Sequence, residues 1–444
     1  MKNILTLGID IGTTTLSAVV LNITKGEQLK SFTLEHKSAM TAPLSFERIQ
    51  DADKILFLAQ KLAEEAFELY PDILAVGLTG QMHGILYIDE NADACSPLYT
   101  WQDGRGEEVA DEIKRLTGMT VFSGYGLATH YYNLKNSLVP ASAKSFCSIM
   151  DYIAMKLADR RIPLCHPSVA ASFGLFDNSK NDFDGGALEK LGINKCFLPR
   201  VIKDDLPLGK YKNAYVTPAL GDNQASVFGS VADEESSVLV NYGTGSQVSV
   251  ITDRRSAKEP LELRPYIGGK NIICGCALCG GYAYELLEGF FKSYAEALGI
   301  EGNQYAVMDA LAEEEYSKHR KNTVTVNPLF KGTRQQPDIR GDISGLSSDN
   351  FSAGRVILGT IEGMARELYE MYRLSDIGGK KTLVVSGNGV RKNRVLQRVL
   401  EDKFNMKLLL LKNNEEAASG AAMYSALSAG ASLSDVKKLI RYHE

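Results

Sequence analysis

Residues 5–22 read LTLGIDIGTTTLSAVVLN, and the reading of this stretch decides the fold. Leu7, Ile9 and Ile11 alternate with Gly8, Asp10 and Gly12, and a second apolar run follows at Leu16, Ala18, Val19 and Val20. Two such runs around a Gly-Thr-Thr turn predict a β-hairpin. The turn carries chemistry. Gly12 lets the backbone come close to a bound group. Thr13, Thr14 and Thr15 offer hydroxyls and N–H groups that could cradle phosphate oxygens. Asp10 stands on the strand just before them, where its carboxylate could hold a phosphate-bound Mg²⁺, directly or through water. The bland alternative is an ordinary hairpin with a Gly-Thr turn.

The stretch recurs. Residues 237–252 read SVLVNYGTGSQVSVIT, and laying one on the other places Asp10 on Asn241, Gly12 on Gly243 and Thr13 on Thr244. An internal repeat of this kind predicts two related lobes. Each would offer a phosphate loop to a cleft between them. The stretch from Val231 to Ser236, acidic and without an apolar run, is the expected boundary, giving domains 1–231 and 232–444.

A chain of 444 residues is long enough for two or three domains with large cores. The net charge of −5 argues against nucleic acid or a membrane surface as the main partner. The beginning of the chain has no apolar leader with a basic flank, and no apolar run is long enough to span a bilayer, so the cytoplasm is the expected location. Seven cysteines fit reduced thiols better than a disulfide framework. Cys274, Cys276 and Cys279 cluster as CGCALC, but no further Cys pair or His cluster stands nearby to complete four metal ligands. A buried strand over Asn271–Cys279 is the better reading.

Taken in order, Phe46–Leu69 has apolar residues at helical spacing and predicts an amphipathic helix. Ile73–Leu78 is a short buried strand that runs into Gly80-Gln81-Met82-His83-Gly84. In open α/β sheets ligands gather beyond the carboxyl ends of strands, which makes Gln81 and His83 site candidates. Leu98–Arg105 holds the only Trp, Trp101, beside Asp103 and Arg105. The ring could lie against C–H groups of a polyol and the charges on its hydroxyls. Gly124–Asn133, rich in Gly and Tyr, reads as a wall or lid, and His166–Gly174 as a loop of small residues. Tyr215–Gly229 is a second chemical centre: a short strand containing Pro218, a turn at Gly221, then a helix opened by Asp222 and Asn223. The helix dipole can keep Asp222 ionised, and an ionised Asp can accept a proton from a substrate hydroxyl; the bland alternative, better for this stretch taken alone but not beside two phosphate loops, is that Asp222 only caps the helix. Further on, Gly280-Gly281 opens a helix, a strand starts at Asn322, and the strand Lys381–Val385 ends in Ser386-Gly387-Asn388-Gly389 before a helix over Asn393–Phe404. Such a glycine loop can take the flat face of a nucleoside.

As a set, these motifs resemble the FGGY carbohydrate kinases, of the actin-like ATPase (ribonuclease H-like) α/β fold, over essentially the whole chain. The residues are GIDIGTTT at Gly8, GQMHG at Gly80, GDNQA at Gly221, NYGTGS at Asn241, CGGY at Cys279, NPLFKGTR at Asn327 and SGNGVRKN at Ser386. GQMHG is similar to the xylulose and sedoheptulose kinase branches; TWQDGR at Thr100 and GYGLATHYYNLK at Gly124 are more similar to the sedoheptulose branch. The resemblance implies ATP and Mg²⁺ as cofactors and a ketose as acceptor. It implies Asp222 as the general base and Asp10, with Asp222, facing the metal. Gly12, Thr13, Thr14, Thr15, Gly243 and Thr244 would hold the phosphates. Gly281, Gly387, Asn388, Gly389 and Asn393 would line the adenosine pocket. Gln81, Met82, His83, Trp101, Asp103, Arg105 and Asn223 would bind the sugar. Two positions depart from the family's habit: Ser17 stands where a basic residue is usual, and Asn388 separates Gly387 from Gly389. A monomer or homodimer is expected. The rivals are a filament or chaperone ATPase of the same fold, which needs no base at Asp222 and no TWQDGR stretch, and a catalytically weak sugar sensor.

Overall fold

Both hairpins form. In the computed structural model, which describes residues 3–202, 206–318 and 324–443, strand β1 (Leu5–Ile11) pairs antiparallel with β2 (Thr15–Asn22), which pairs antiparallel with β3 (Glu27–Glu35). β4 (Ile73–Gly80) lies parallel to β1 on its other side. The sheet continues from β4 through the strand Ala214–Val216 to Gly209–Tyr211, and Leu220–Gly221 extends the pairing along the end of β4. Asp10 is thereby held opposite Ser17 on β2 and Thr79 on β4.

The second sheet repeats the plan. β5 (Ser237–Tyr242) pairs antiparallel with β6 (Ser246–Thr252) and parallel with β8 (Thr382–Ser386). β7 (Asn271–Ala277) lies beyond β6, and β9 (Lys407–Leu410) beyond β8. Asn241 faces Gln247 and Ser386, as Asp10 faces Ser17 and Thr79. The duplication bears out the two related lobes expected from the repeat, in the actin-like ATPase fold that the resemblance implied.

Two compact units follow. The first holds Met1–Ala232 together with Arg264–Asn271 and Glu415–Arg441; the second holds Asp233–Leu263, Ile272–Asn414 and Tyr442–Glu444. The passage between them at Ala232 coincides with the acidic stretch. The two later segments of the first unit make its composition differ from the contiguous division 1–231 and 232–444. The physical reason is the helix Glu416–Ser428, whose residues from Ala418 to Ala426 are all buried. It lies directly on the first sheet. A Cβ on Gly8 would stand 1.9 Å from the carbonyl oxygen of Ala418, and one on Gly77 2.0 Å from that of Ala421. Glycine in mid-strand here serves close backbone approach rather than turning.

Three other expectations are corrected. The helix expected from Phe46 starts at Ala52, because Asp51 caps it with its carboxylate accepting from the Lys54 N–H at 2.9 Å. Ile49–Gln50 before it is a short strand paired with Leu98–Tyr99. Gly124–Asn133 contains a buried helix, Gly126–Lys135, rather than a wall or lid. His166–Gly174 is a helical turn at Pro167–Ala170 followed by a 3₁₀ turn, with the imidazole of His166 accepting from the Ser168 N–H at 3.1 Å. Of the strand expected from Asn322, residues 322–323 lie outside the described residues; Thr325–Asn327 is its described part. Among the described residues no helix is long and apolar enough to cross a membrane.

Candidate active site

The turn at residues 12–14 is held by residues that sequence reading did not single out. The Gln50 amide donates to the Thr13 carbonyl at 2.7 Å. His36 lies 3.2 Å from the Gly12 carbonyl through Nε2, while its Nδ1 faces the Ser38 N–H at 3.3 Å and the Ser38 hydroxyl at 2.7 Å. A carbonyl can only accept and a backbone N–H can only donate, so the ring is the neutral tautomer with its proton on Nε2. Burial pushes the His36 pKa down and keeps it neutral.

Asp10 is the most perturbed carboxylate of this loop. Burial raises its pKa from 3.8 to about 7, reinforced by the negative charges of Asp222, Glu415 and Glu416. The Asp10–Asp222 pair anticipated from sequence is thus close enough to interact, and the helix Glu416–Ser428 adds two acids that sequence reading missed. Asp222 is exposed at the first position of the helix Asp222–Ser230, whose cap residue is Gly221. One of its oxygens accepts from the Asn223 N–H at 2.5 Å. It is therefore not the cap itself, and it stands where the helix dipole favours the ionised form.

The loop after β4 packs against this centre. Gln81 donates from its amide to the Gln50 side-chain oxygen at 3.0 Å and, more weakly, to the Gly12 carbonyl at 3.4 Å. The Gln81 side-chain oxygen is buried without a hydrogen-bond partner among the described residues. Such a buried acceptor normally has a donor, so it is suited to a substrate hydroxyl. Met82 is buried, and a Cβ on Gly221 would stand 2.7 Å from its sulfur, which ties this loop to the turn before Asp222. His83 has φ +74°, uncommon for a residue other than glycine. It is held there by Ser172, whose hydroxyl accepts from the His83 N–H at 3.1 Å and whose carbonyl accepts from Nδ1 at 2.7 Å. Its ring stacks on Tyr125 at 4.6 Å with planes 7° apart. Fixing Nδ1 as the donor fixes the tautomer of the neutral ring.

Trp101 is 45% exposed and donates from Nε1 to the Thr13 hydroxyl at 3.0 Å, which joins it to the turn after β1. Asp103 and Arg105 are placed differently from the sequence picture of charges turned to a polyol. Both are buried. Arg105 binds Asp103 at 2.6 Å, the Asn133 amide oxygen at 2.8 Å and Glu47 at 3.2 Å, and lies 4.1 Å over the Tyr99 ring. The second Asp103 oxygen accepts from the Arg48 N–H at 3.0 Å. Their charges are met by the protein, which gives them the geometry of groups that position Trp101 and its loop.

The second unit assembles the nucleotide-side candidates. Gly243 and Thr244 form the turn between β5 and β6, and their carbonyls accept from the N–H groups of Gly281 at 2.8 Å and Tyr282 at 3.1 Å, at the start of the helix Gly281–Ala297. Gly387 follows β8 with φ +94°, and a Cβ there would stand 2.3 Å from the Tyr242 carbonyl, so only glycine fits. Asn388 is exposed and, with Gly389, opens a short helix to Lys392 that sequence reading missed. Asn393 caps the next helix, accepting from the Leu396 N–H at 2.8 Å, and its amide donates to Asp309 at 3.3 Å. Asp309 also accepts from the Tyr284 hydroxyl at 2.7 Å. The loop from β8 thus has Asn388 turned to solvent and Asn393 engaged in structure.

The donor set fits Mg²⁺ of one kind only. Among the described residues no group of three or more His, Cys, Asp or Glu side chains is placed to hold a metal ion, and this includes the CGCALC cysteines. Mg²⁺ needs no such cage; it takes one or two carboxylates, waters and substrate phosphates. A carboxyl raised by burial and by three acidic neighbours, as Asp10 is, gains from a cation beside it.

Comparison with known proteins places these features. The N-terminal-domain model of the FGGY family of carbohydrate kinases matches residues 5–240 and the C-terminal-domain model residues 238–429. Sedoheptulokinase of Mus musculus is 26% identical over 470 residues, covering 94% of this chain and 96% of that protein. Xylulose kinase of Staphylococcus xylosus is 24% identical over 455 residues, covering 95% and 90%. Among solved structures, xylulose kinase from Rhodospirillum rubrum superposes with a TM-score of 0.86 at 20% identity, covering 99% of this chain and 93% of that one. Gluconate kinase from Lactobacillus acidophilus also gives 0.86, at 17% identity, covering 100% and 93%. With both family domains matched along nearly its full length, this chain belongs to the FGGY family of carbohydrate kinases.

Proposed function

We propose that this carbohydrate kinase is a cytoplasmic enzyme that transfers the γ-phosphoryl group of ATP to the primary hydroxyl of a ketose, sedoheptulose giving sedoheptulose 7-phosphate. The observation that carries the reading is the exposed Asp222 beside the perturbed Asp10, at the end of the sheet where Gln81, His83 and Trp101 also gather. The sedoheptulokinase relatives and the TWQDGR and GYGLATHYYNLK stretches support the seven-carbon acceptor.

In this reading Asp222 takes the proton of the attacking hydroxyl, and its helix-start position keeps it ionised for that purpose. The unpartnered oxygen of Gln81 accepts from a sugar hydroxyl. His83, pinned by Ser172, holds the end of the ketose that pentuloses and heptuloses share. Trp101 offers its ring to the sugar's C–H face and its N–H to Thr13. Thr13, Thr14 and Thr15 are the phosphate-binding groups of the first unit in this reading; within the second unit Gly243 and Thr244 serve phosphate and Gly281, Gly387 and Gly389 the nucleoside. Asp10, with Asp222, would hold Mg²⁺, which supplies charge neutralisation on the transferred phosphoryl oxygens. Ser17 lies buried opposite Asp10 and offers a hydroxyl where the resemblance leads one to expect a basic side chain.

D-xylulose is the second reading, favoured by the GQMHG loop and the xylulose kinase relatives. A coupled ATP-consumption assay across sedoheptulose, D-xylulose, L-xylulose and D-ribulose separates the two. The heptulose reading expects the highest kcat/KM with sedoheptulose. D-xylulose better by about tenfold, roughly 1.4 kcal/mol of transition-state discrimination, transfers the assignment to it; ATP turnover unaffected by every sugar removes the kinase mechanism.

A further inference from the structure

We propose that the first unit carries a second ligand site, a pocket that takes a small phosphorylated metabolite. The pocket has a volume of about 700 Å³, within the range of about 300–1,000 Å³ typical of small-molecule sites. None of the residues given a role in the reaction lines it.

Two strand pairs form its walls. Leu86–Ile88 pairs with Ser145–Cys147 on one side, and Leu164–Cys165 with Arg200–Val201 on the other. Ile88, Phe183 and Leu198 are buried there and give an apolar floor. The rim is cationic. Lys144, Arg161, Lys195 and Arg200 all line the pocket. Lys195 is paired with Asp182 at 2.5 Å. The side chains of Lys144, Arg161 and Arg200 have no hydrogen bond or ion pair to protein among the described residues. Of the lining acids, Asp182 is taken by Lys195, and Asp89 accepts from the N–H groups of Asn91 and Asp93 at 2.9 and 3.0 Å. Those backbone bonds leave the Asp89 charge in place, so Asp89 and Glu90 stand against Lys144, Arg161 and Arg200, and with four cations against three acids the lining carries a net charge of +1.

This arrangement runs against the balance of the chain, whose net charge is −5. Cations converging on a concave surface repel one another and focus a positive potential into it. Two of them are guanidinium groups, whose planar donor forks match phosphate oxygens. An apolar floor beneath suits the carbon skeleton of an organic phosphate better than a free inorganic ion.

Cys196 lines the same pocket and is the one exposed cysteine of the seven, so its alkylation reports occupancy without reference to kinase activity. The intact protein is treated with iodoacetamide in the presence and absence of ribose 5-phosphate or pyrophosphate, and Cys196 is followed by mass spectrometry of its peptide. If only the free pocket reacts, a probe at ten times its Kd slows labelling about tenfold. Arg161→Ala/Arg200→Ala should lose this protection while labelling at the unprotected rate. A second reading needs no ligand. Anionic iodoacetate should favour Cys196 over neutral iodoacetamide more in the folded protein than in the urea-unfolded chain, with the preference falling as salt rises. Protection by ribose 5-phosphate but not by pyrophosphate keeps the site and shows that the carbon skeleton is required. Unchanged labelling with both probes, equal protection in the double variant, or no reagent preference would overturn the proposal.

Discussion

Asp10→Asn should stabilise the ligand-free protein while removing its activity, and the gain should depend on pH. In the folded chain the Asp10 pKa is raised from 3.8 to about 7. A raised carboxyl pKa means that the folded state binds the proton more tightly than the unfolded state. Stability is therefore lost as pH climbs from about 4 to about 7 and is flat beyond. The displacement is worth about 4 kcal/mol at pH 8 and about 2 kcal/mol at pH 5, as upper values that relaxation around the carboxylate will reduce. An asparagine of the same shape carries no charge to desolvate and does not repel Asp222, Glu415 or Glu416. The assay is urea unfolding followed by the fluorescence of Trp101, which is the only tryptophan and lies in the first unit with Asp10. Asp151 and Glu367 are also raised to about 7 by burial, so the difference between variant and parent, not the parent curve, isolates Asp10. The midpoint should rise at pH 8, rise by about half as much at pH 5, and the slope m should stay the same. An equal gain at both pH values, or a loss at pH 8, would refute the electrostatic account of this loop.

Other outcomes follow from the same geometry. Asp222→Ala should lower kcat by about 10²–10⁴-fold while ATP binding, read by calorimetry, stays near the parent value. His83→Ala should lower kcat/KM for sedoheptulose and D-xylulose alike, since it acts on the part of the sugar they share; steady-state kinetics with both acceptors checks this. Arg105→Met should leave the buried Asp103 carboxylate without its main partner and destabilise the first unit by about 3–5 kcal/mol, visible in the Trp101 unfolding curve. Gly77→Val should separate the helix Glu416–Ser428 from the sheet, because a Cβ already meets the Ala421 carbonyl at 2.0 Å, and should appear as a large loss of first-unit stability in the same measurement.

The parts of the molecule legible in sequence are those written in local pattern. Alternating apolar residues around Gly12 and Gly243 define both hairpins, and the order of the motifs identifies the family. Gly387 is legible as part of a glycine loop after a buried strand, though its φ of +94° and its contact with the Tyr242 carbonyl come from the fold. Four features were not legible, each for a non-local reason. The helix Glu416–Ser428 is too uniformly small and buried to show which sheet it covers; only the mid-strand Gly8 and Gly77, far away in sequence, hold the trace of it. Asp103 and Arg105 read as charges near a Trp, and nothing local says that Glu47, Arg48 and Asn133 converge on them. The support of the Gly12 turn by His36 and Gln50 depends on β3 and the segment after it folding back beside the loop. The Tyr-rich Gly124–Asn133 stretch looks too polar for a core, yet Tyr125 is spent on stacking with His83 and Tyr131 on the buried helix face.

The most direct test of the central claim is proton-coupled ³¹P NMR of the product formed from sedoheptulose and MgATP. Transfer to a primary hydroxyl gives a phosphorus signal split into a triplet by the adjacent CH₂. The account predicts that triplet with the parent enzyme and its disappearance on the same timescale with Asp222→Ala. A doublet from a secondary hydroxyl, inorganic phosphate as the only new signal, or an undiminished triplet from the variant would contradict it.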